Sequence, residues 1–308
     1  MLSEGLALRV DVDTRRGLER GVPRLLDLFA SREIAATFFI PFGPDRSGRA
    51  VRRLFEQPGF LRRMWRLGAP GRYGLRTILS GTLIPSVPIG SARPDILRSV
   101  AAEGHEVGLH GYDHVRWQDR LGDLTPYEVA LELEMASRAY QGIFGQLPRA
   151  SAAPGWRTNE RALLAQETLG LHYASDVRGR RPFWPVVLGR RLETLQIPVT
   201  MPTLDEIFAW EGPERRGPER ALLGALVPGS ANVLAVHAEI AGGSALPILR
   251  EFISMARDRG YSISRLEDLA RDVLGSGEQL PSCGIGLGRV PGRAGMVAVQ
   301  AEVTEPAS

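Results

Sequence analysis

Short apolar runs alternate with amphipathic stretches along most of this chain, and this alternation predicts strands joined by helices. Each apolar run has the length of a buried strand, and most of them are followed by a helix-like stretch. This order is typical of a parallel sheet with helical crossovers. About seven such units favour an α/β fold closed into a barrel, whose chemistry lies at the C-terminal ends of the strands. The predicted strands are Leu6–Val12, Ala35–Ile40, Glu106–His110, Arg149–Ala153, Leu171–Val177, Leu195–Val199, Val233–Ile240 and Tyr261–Ser264.

One long segment interrupts this alternation and carries a strong positive charge. Residues 43–92 separate the second predicted strand from the next predicted helix, and connections of this length are usually functional. Between Arg46 and Arg76 there are nine arginines and one glutamate, a local net charge of +8 against +3 for the whole chain. With the apolar residues between them, they suit an interfacial segment on an anionic membrane, and a solvated basic face is the alternative. The residues expected to contact the membrane are Arg62, Arg63, Trp65 and Arg66.

The composition is otherwise that of an ordinary globular protein of 308 residues. Hydrophobic residues make up 44% and charged residues 24%, which excludes disordered and collagen-like classes. The single Cys283 excludes an internal disulfide and a cysteine-rich zinc module. With no visible signal peptide, no apolar run long enough to span a bilayer and no nucleic-acid reader motif, we expect a cytoplasmic protein that binds no nucleic acid. We predict one domain over residues 1–274, containing the insertion at 43–92, and an irregular Gly- and Pro-rich tail over residues 275–308.

Acidic and histidine side chains cluster at or just after the predicted strand ends. Asp11 and Asp13 alternate onto one side of the first strand end, where two carboxylates need a cation or strong donors. His110 and His114 follow the third strand, at a spacing that lets two imidazoles meet one ion if the chain turns helically. Such a His₂-carboxylate set leaves metal positions open for water and substrate. A helix cap is the alternative for Asp13, and a core histidine is the alternative for His237, which ends another strand.

Taken in order, these motifs resemble the polysaccharide deacetylase (NodB-homology) superfamily. Within it, the sequence is similar to the bacterial 4-deoxy-4-formamido-L-arabinose-phosphoundecaprenol deformylases of lipid A modification. The resemblance covers about residues 5–300, including the basic insertion, and it rests on the motifs together because no single one is specific. The matching stretches are Leu8–Thr14, Phe42–Asp45, Gly48–Arg49, Glu106–His114, Ser151–Arg157, Ser175–Gly179, Gln196–Thr200 and Val236–Glu239.

The resemblance implies a fold and a metal centre. The fold would be a distorted (β/α) barrel of the NodB type with about seven parallel strands, and the reaction a metal-dependent hydrolysis of a linear amide C–N bond. Asp13, His110 and His114 would hold one divalent metal ion. Zinc suits this donor set first, with cobalt, nickel or manganese as alternatives.

The resemblance also implies catalytic roles, with one departure. Asp11 would be the general base and His237 the general acid, and Asp176 would orient His237. The third superfamily motif usually begins with an arginine that braces the base, and that arginine is missing here. Arg157 and Arg178 are the candidates to replace it, with surface ion pairs as the alternative reading.

Four residues are candidates for contacting the substrate: Trp156, Arg157, Arg178 and Glu239. Trp156 would form a wall of the sugar pocket, with a core position as the alternative. Glu239 lies two residues after His237 and would contact the sugar or tune that histidine, unless it is a plain rim carboxylate.

The function implied is hydrolysis of the formamide on undecaprenyl phosphate-linked 4-deoxy-4-formamido-L-arabinose, which yields formate and the amino sugar for lipid A modification and polymyxin resistance. The expected localisation is peripheral, at the cytoplasmic face of the bacterial inner membrane. No obligate protein partner is inferred. The alternatives are another carbohydrate or peptidoglycan deacetylase, a soluble C–N amide hydrolase of the same superfamily, and a non-catalytic lipid-phosphate binding protein.

Overall fold

Parallel pairing of short, buried strands builds the centre of the molecule. The computed structural model describes residues 5–48, 86–209 and 217–302. Eight of the strands in these ranges form one sheet, and each pairing within it is parallel. The strands in chain order are β1 Gly5–Asp11, β2 Thr37–Ile40, β3 Glu106–Leu109, β4 Ala150–Ser151, β5 Tyr173–Ala174, β6 Trp184–Val187, β7 Arg190–Arg191, β8 Leu195–Gln196, β9 Asn232–His237, β10 Ser262–Ser264, β11 Ser282–Arg289 and β12 Met296–Ala301.

Strand β1 lies in the middle of this sheet and pairs with three other strands. One edge of β1 pairs with β9, and the other edge pairs first with β10 and then with β2. From β2 the order continues through β3, β4 and β5 to β8. The segment that follows β8 lies beside β9. Thr200 N donates to Val233 O at 3.2 Å, and Val233 N donates to Thr200 Oγ1 at 2.9 Å. The predicted distorted barrel of parallel strands is therefore confirmed.

Helices cover the outside of the sheet and form the main core with it. A π-helical turn, Gly17–Gly21, leads into the first helix, whose Leu25 and Phe29 are buried against Phe38 of β2 and its neighbours. Each such side chain contributes roughly 1.5–3 kcal/mol through burial. The helices are α1 Val22–Ala30, α2 Pro94–Ala102, α3 His114–Arg120, α4 Pro126–Phe144, α5 Glu160–Leu169, α6 Leu204–Ala209, α7 Pro218–Gly224, α8 Ala238–Ala241, α9 Leu246–Asp258 and α10 Leu266–Gly275.

Two predicted elements need correction. Strand β9 ends at His237, and the residues that follow it turn into the short helix α8 rather than extending the strand to Ile240. The segment predicted as an irregular tail contains β11 and β12, which pair with each other and, through β11, with β6 in a second sheet. Glycines alternate with apolar residues in β11, so the period-two pattern of this strand carries little hydrophobic signal.

Much of the basic insertion lies outside the described residues. The described flanks approach each other through a bridge between Pro44 and Pro88. The predicted membrane contacts Arg62, Arg63, Trp65 and Arg66 fall within residues 49–85 and stay predictions. In the part of the chain that is described, none of the helices combines the length and apolar character needed to cross a bilayer.

Candidate metal centre and active site

The C-terminal ends of β1, β3 and β9 bring the predicted site residues together. Asp11 and His237 are direct Cα partners across β1 and β9, so their side chains leave the sheet on the same side. Asp13 follows two residues later and lies beside the histidines that follow β3. The convergence at strand ends that the sequence predicts is present.

Asp13, His110 and His114 form a compact set of metal-ligand atoms. Oδ1 of Asp13 lies 3.4 Å from Nε2 of His110 and 3.1 Å from Nε2 of His114. One ligand atom from each residue lies within 4.8 Å of the others. The chain can turn between the two histidines because Gly111 adopts a φ of +70°, which favours glycine, and Asp113 then caps the helix that His114 begins.

The hydrogen bonds of His110 show that this set fits a cation. Nδ1 of His110 lies 2.8 Å from the backbone oxygen of Ala152, and a carbonyl can only accept, so Nδ1 carries a proton. In the neutral ring Nε2 then carries a lone pair, and it points at the carboxylate of Asp13. Two acceptors this close repel each other unless a cation lies between them, and a histidine whose other nitrogen donates to a carbonyl is the usual arrangement of a metal ligand.

Glu239 braces the loop that carries Asp13. Its Oε1 accepts from the backbone N of Asp13 at 3.1 Å, from the backbone N of Thr14 at 2.8 Å and from Thr14 Oγ1 at 2.7 Å. Gly17 packs so closely that an added Cβ would lie 2.0 Å from this oxygen. Burial, together with the nearby charge of Asp13, raises the pKa of Glu239 to about 7. Glu239, predicted to contact the sugar or His237, thus lies buried behind the metal-ligand loop.

Arg9 is the arginine that braces Asp11. Burial alone would raise the pKa of Asp11, but Arg9 together with His110 and His237 lowers that pKa below its usual value. Nε and Nη2 of Arg9 donate to the two carboxylate oxygens at 2.6 and 2.7 Å, and Nη1 donates to Ser175 Oγ at 3.0 Å. The candidates Arg157 and Arg178 do not have this position: Arg178 pairs with Glu206 at 2.9 Å.

Asp205 contacts the ring of His237, where Asp176 was expected. Nδ1 of His237 lies 3.1 Å from Oδ1 of Asp205. Burial alone would lower the pKa of His237, but Asp205 and the more distant Asp13 raise it to about 10. Asp176 is fully buried and instead accepts from Gln196 Nε2 at 3.2 Å.

Trp156 lies beneath His237 rather than along an open pocket. It is 1% exposed, and its ring meets the imidazole edge to face at a centroid distance of 6.3 Å. Arg178 stacks on the indole at 5.2 Å, and the guanidinium of Arg157 lies against Gly295. The structure therefore favours the core reading of Trp156 and a supporting role for Arg178. For Arg157, contact with a substrate stays a prediction.

Three residues of the candidate site were not predicted from the sequence: Arg9, Asp205 and Arg293. Arg9 precedes Asp11 by two residues, so the strand alternation that pairs Asp11 with Asp13 also predicts Arg9 on the same side. No local sequence pattern connects Asp205 with His237, which lies 32 residues later. Arg293, which approaches Asp205 from the C-terminal hairpin, was hidden in the segment expected to be irregular.

Comparison with known proteins agrees with this geometry. The family model for polysaccharide deacetylase matches residues 6–174. A curated protein of Shewanella sediminis, named as a 4-deoxy-4-formamido-L-arabinose-phosphoundecaprenol deformylase, is 36% identical over 264 residues, which are 86% of this chain and 85% of that protein. A protein of the same name from Wigglesworthia glossinidia brevipalpis is 32% identical over 290 residues, 93% of this chain and 99% of the relative.

The fold comparison extends to a solved structure. A protein from Mycobacterium smegmatis, described as a polysaccharide deacetylase, superposes with a TM-score of 0.63 at 19% identity, covering 90% of this chain and 93% of that one. At this identity the likeness concerns the fold, and it agrees with the distorted barrel of parallel strands described above.

Proposed function

We propose that this chain, which belongs to the polysaccharide deacetylase family, hydrolyses the formamide of undecaprenyl phosphate-linked 4-deoxy-4-formamido-L-arabinose. Its membership of this family and its similarity to the two named relatives identify it as a hydrolase that acts on an amide C–N bond. The observation that carries the proposal is the meeting of Asp13, His110 and His114 with Asp11 and His237 at one edge of the sheet. The products are formate and a lipid-linked amino sugar, which would serve lipid A modification and polymyxin resistance.

Asp13, His110 and His114 would hold the divalent metal ion. When bound, such an ion polarises the formamide carbonyl and lowers the pKa of water beside it. The donor set of two imidazoles and one carboxylate suits zinc first, and also cobalt, nickel or manganese. Glu239 and the carbonyl of Ala152 support the proposal because they fix Asp13 and His110 in orientation before any ion arrives.

Asp11 is proposed as the general base. Its lowered pKa keeps the carboxylate ionised at neutral pH, so it can take a proton from the attacking water. Arg9 fixes both carboxylate oxygens, and this pre-organisation keeps the base from turning away during the reaction. General base catalysis of this kind contributes about 10²–10⁴-fold to the rate.

His237 is proposed as the general acid. The C–N bond can break only when the departing nitrogen gains a proton, because a free amide anion is a very poor leaving group. The Asp205 carboxylate favours the imidazolium form, with the pKa of His237 at about 10, so the proton is present at neutral pH. Asp205 contacts Nδ1, which leaves Nε2 to deliver the proton.

The lipid carrier of this substrate implies work at a membrane surface. A polyprenyl tail stays in the bilayer while the sugar enters the barrel mouth, so the enzyme has to act at the plane of the headgroups. The net charge of +8 between residues 46 and 76 supports this, since each basic residue near an anionic leaflet contributes about 1 kcal/mol. We place the protein peripherally at the cytoplasmic face of the bacterial inner membrane.

Mass spectrometry of the lipid-linked formamido sugar, before and after incubation with the metal-loaded protein, tests the proposed function. We expect the loss of one carbonyl unit and the release of formate in equal amount. An acetamido sugar and a formamido compound without lipid serve as competing substrates. Preference for either would replace the proposal with a deacetylase or a soluble amide hydrolase, and tight lipid binding without turnover would indicate a lipid-phosphate binding protein.

A further inference from the structure

The C-terminal hairpin is built into the wall of the active site. Its strands β11 and β12 pair from Gly284 to Ala301, and the hairpin is joined to the chain near β5. Arg178 N donates to Ala298 O at 3.0 Å, and Gln300 N donates to Arg178 O at 2.8 Å. Val297 is 3% exposed and belongs to the same apolar cluster as Trp156. The hairpin lies beyond residues 6–174, where the family model matches.

The turn between these strands carries Arg293 into contact with Trp156 and two carboxylates. Its guanidinium carbon lies 4.2 Å from the centroid of the Trp156 ring. Nη1 lies 3.6 Å from Oε1 of Glu206 and 3.8 Å from Oδ2 of Asp205, and the side chain is 14% exposed. Gly292, at a φ of +79°, lets the turn approach this closely, since an added Cβ would lie 2.4 Å from the backbone oxygen of Glu206.

Both groups that hold His237 therefore touch Arg293. Asp205 uses Oδ1 for the ring of His237, while its Oδ2 faces Arg293. Trp156 lies against His237 on one side and stacks with Arg293 on another. Arg293 is thus one contact removed from the proposed acid, through a carboxylate and through an aromatic ring.

The two carboxylates beside Arg293 give its positive charge a place to act. Asp205 and Glu206 are adjacent, buried carboxylates that repel each other. Arg178 is occupied by both oxygens of Glu206, at 2.9 and 3.1 Å, and by Met201 O at 2.8 Å. Arg293 places a positive charge within 4 Å of both carboxylates, beside Oδ2 of Asp205, whereas His237 contacts Oδ1 of Asp205. Removing this charge should increase the repulsion between Asp205 and Glu206 and loosen the contact between Asp205 and His237.

We infer that Arg293 is a positioning residue of the active site, which holds Asp205 and Trp156 so that His237 is aimed at the departing nitrogen. The kinetic test of this inference rests on the proposed function. A misplacement of about 1 Å can cost a reaction on the order of 10²-fold, so the loss should lie in kcat rather than in KM.

The kinetic test compares Arg293→Met with Arg289→Met, an exposed arginine on the same hairpin. We expect Arg293→Met to lower kcat by about 10–100-fold, with KM within about twofold and an unchanged metal content, and Arg289→Met to resemble the native enzyme. Arg293→Lys should retain part of the rate because it keeps the charge but loses the planar stack. Added guanidinium ion should partly restore Arg293→Ala.

A spectroscopic measurement keeps the inference testable without turnover. The Nδ1 proton of His237, which faces Asp205, gives an NMR signal sensitive to that contact. We expect the signal to shift in Arg293→Met and to stay in place in Arg289→Met, with both proteins equally stable to urea. A rise in KM with unchanged kcat would overturn the inference in favour of substrate contact, and so would an unmoved His237 signal. If the native protein cleaves no formamide, the signal still decides the role of Arg293.

Discussion

Arg9 and Asp11 point to the same side of β1 and form a two-pronged ion pair, with Nε–Oδ1 and Nη2–Oδ2 distances of 2.6 and 2.7 Å. Arg9 is 0% exposed and Asp11 is 2% exposed, so neither charge is compensated by water. Arg9 lies on the same strand as Asp11, the proposed base that it braces. In the wider superfamily, the arginine that braces the base belongs to the third motif instead. Here the proposed base depends on a residue only two positions away.

The Arg9–Asp11 pair predicts an asymmetric effect on stability. Arg9→Met leaves a buried carboxylate without its partner and should cost about 3–5 kcal/mol of unfolding free energy. The double variant with Asp11→Asn removes both charges and should recover much of that loss. Urea unfolding of the two single variants and the double variant measures the coupling. Additive losses would mean that the two side chains are independent.

The metal centre predicts a loss of binding that leaves the fold intact. His110→Ala and His114→Ala each remove one imidazole and should abolish stoichiometric metal uptake. His172→Ala is the matched control, because His172 is exposed and away from the Asp13 cluster. The protein is stripped of metal with a chelator and then reloaded. Inductively coupled plasma mass spectrometry gives its metal content, and circular dichroism reports the fold. Full occupancy in both site variants would contradict the ligand assignment.

The contact between Asp205 and His237 predicts which aspartate matters for the acid. Asp205→Asn should lower kcat by about 10²-fold, since Asn cannot stabilise the imidazolium form, and metal content should stay the same. Asp176→Asn keeps the hydrogen bond to Gln196 and should affect the rate much less. Steady-state kinetics of the two variants, with metal analysis beside them, makes the comparison. A larger loss in Asp176→Asn would restore the role that the sequence suggested for it.

His105 predicts a decline of stability in mild acid. Burial, with some repulsion from Arg265, lowers the pKa of His105 to about 4, and its Nδ1 accepts from Ala36 N at 3.0 Å. The unfolded chain, with a histidine pKa near 6.5, takes up the proton first, so the contribution is present above that pH and is lost as the pH falls toward 4. The loss between pH 7 and pH 5 should be roughly 1–2 kcal/mol.

His105→Asn isolates this effect because its amide oxygen can still accept from Ala36 and does not titrate. Urea unfolding at several pH values should give the variant a flatter profile than the native protein over this range. Parallel profiles would mean that His105 is not the group that titrates.

The basic insertion predicts reversible, salt-sensitive membrane attachment. Replacing Arg62, Arg63 and Arg66 by glutamine should weaken binding to anionic liposomes and slow turnover of the long-chain substrate. A short, water-soluble analogue should be affected much less, because it needs no membrane. Sedimentation with liposomes at rising salt measures the binding, since salt screens the attraction.

A triple glutamine variant of Arg180, Arg181 and Arg250 removes the same charge from exposed positions elsewhere. Equal loss of liposome binding in both triple variants would show that net charge alone is responsible. Equal loss on both substrates would assign the insertion to the fold or to the active site.

The sequence predicts the fold, and it predicts the candidate metal ligands, because both follow from local patterns. Apolar runs identify the strands, and the histidine spacing after β3 identifies the ligand pair at short range. The partner of His237 could not be predicted in this way, since Asp205 is 32 residues away and its approach depends on how α6 packs over the barrel mouth. Arg9 was within reach of the alternation argument, but an arginine inside a buried strand runs against the usual expectation for charged residues.

The C-terminal hairpin was missed for a different reason. Glycines alternate with apolar residues in β11, and the hairpin is held in place by pairing with β6 and with the backbone of Arg178. Such long-range pairing leaves no mark within a short window of sequence.

The position of Arg293 near the end of the chain has a consequence for synthesis. Asp13, His110 and His114 all emerge in the first 114 residues, whereas the strands that position Arg293 emerge last. The candidate ligands are made first. Ala152 and Glu239, which orient them, follow, and Arg293 comes after both. The surroundings of the proposed acid His237 are therefore the last part of the candidate site to be completed during synthesis.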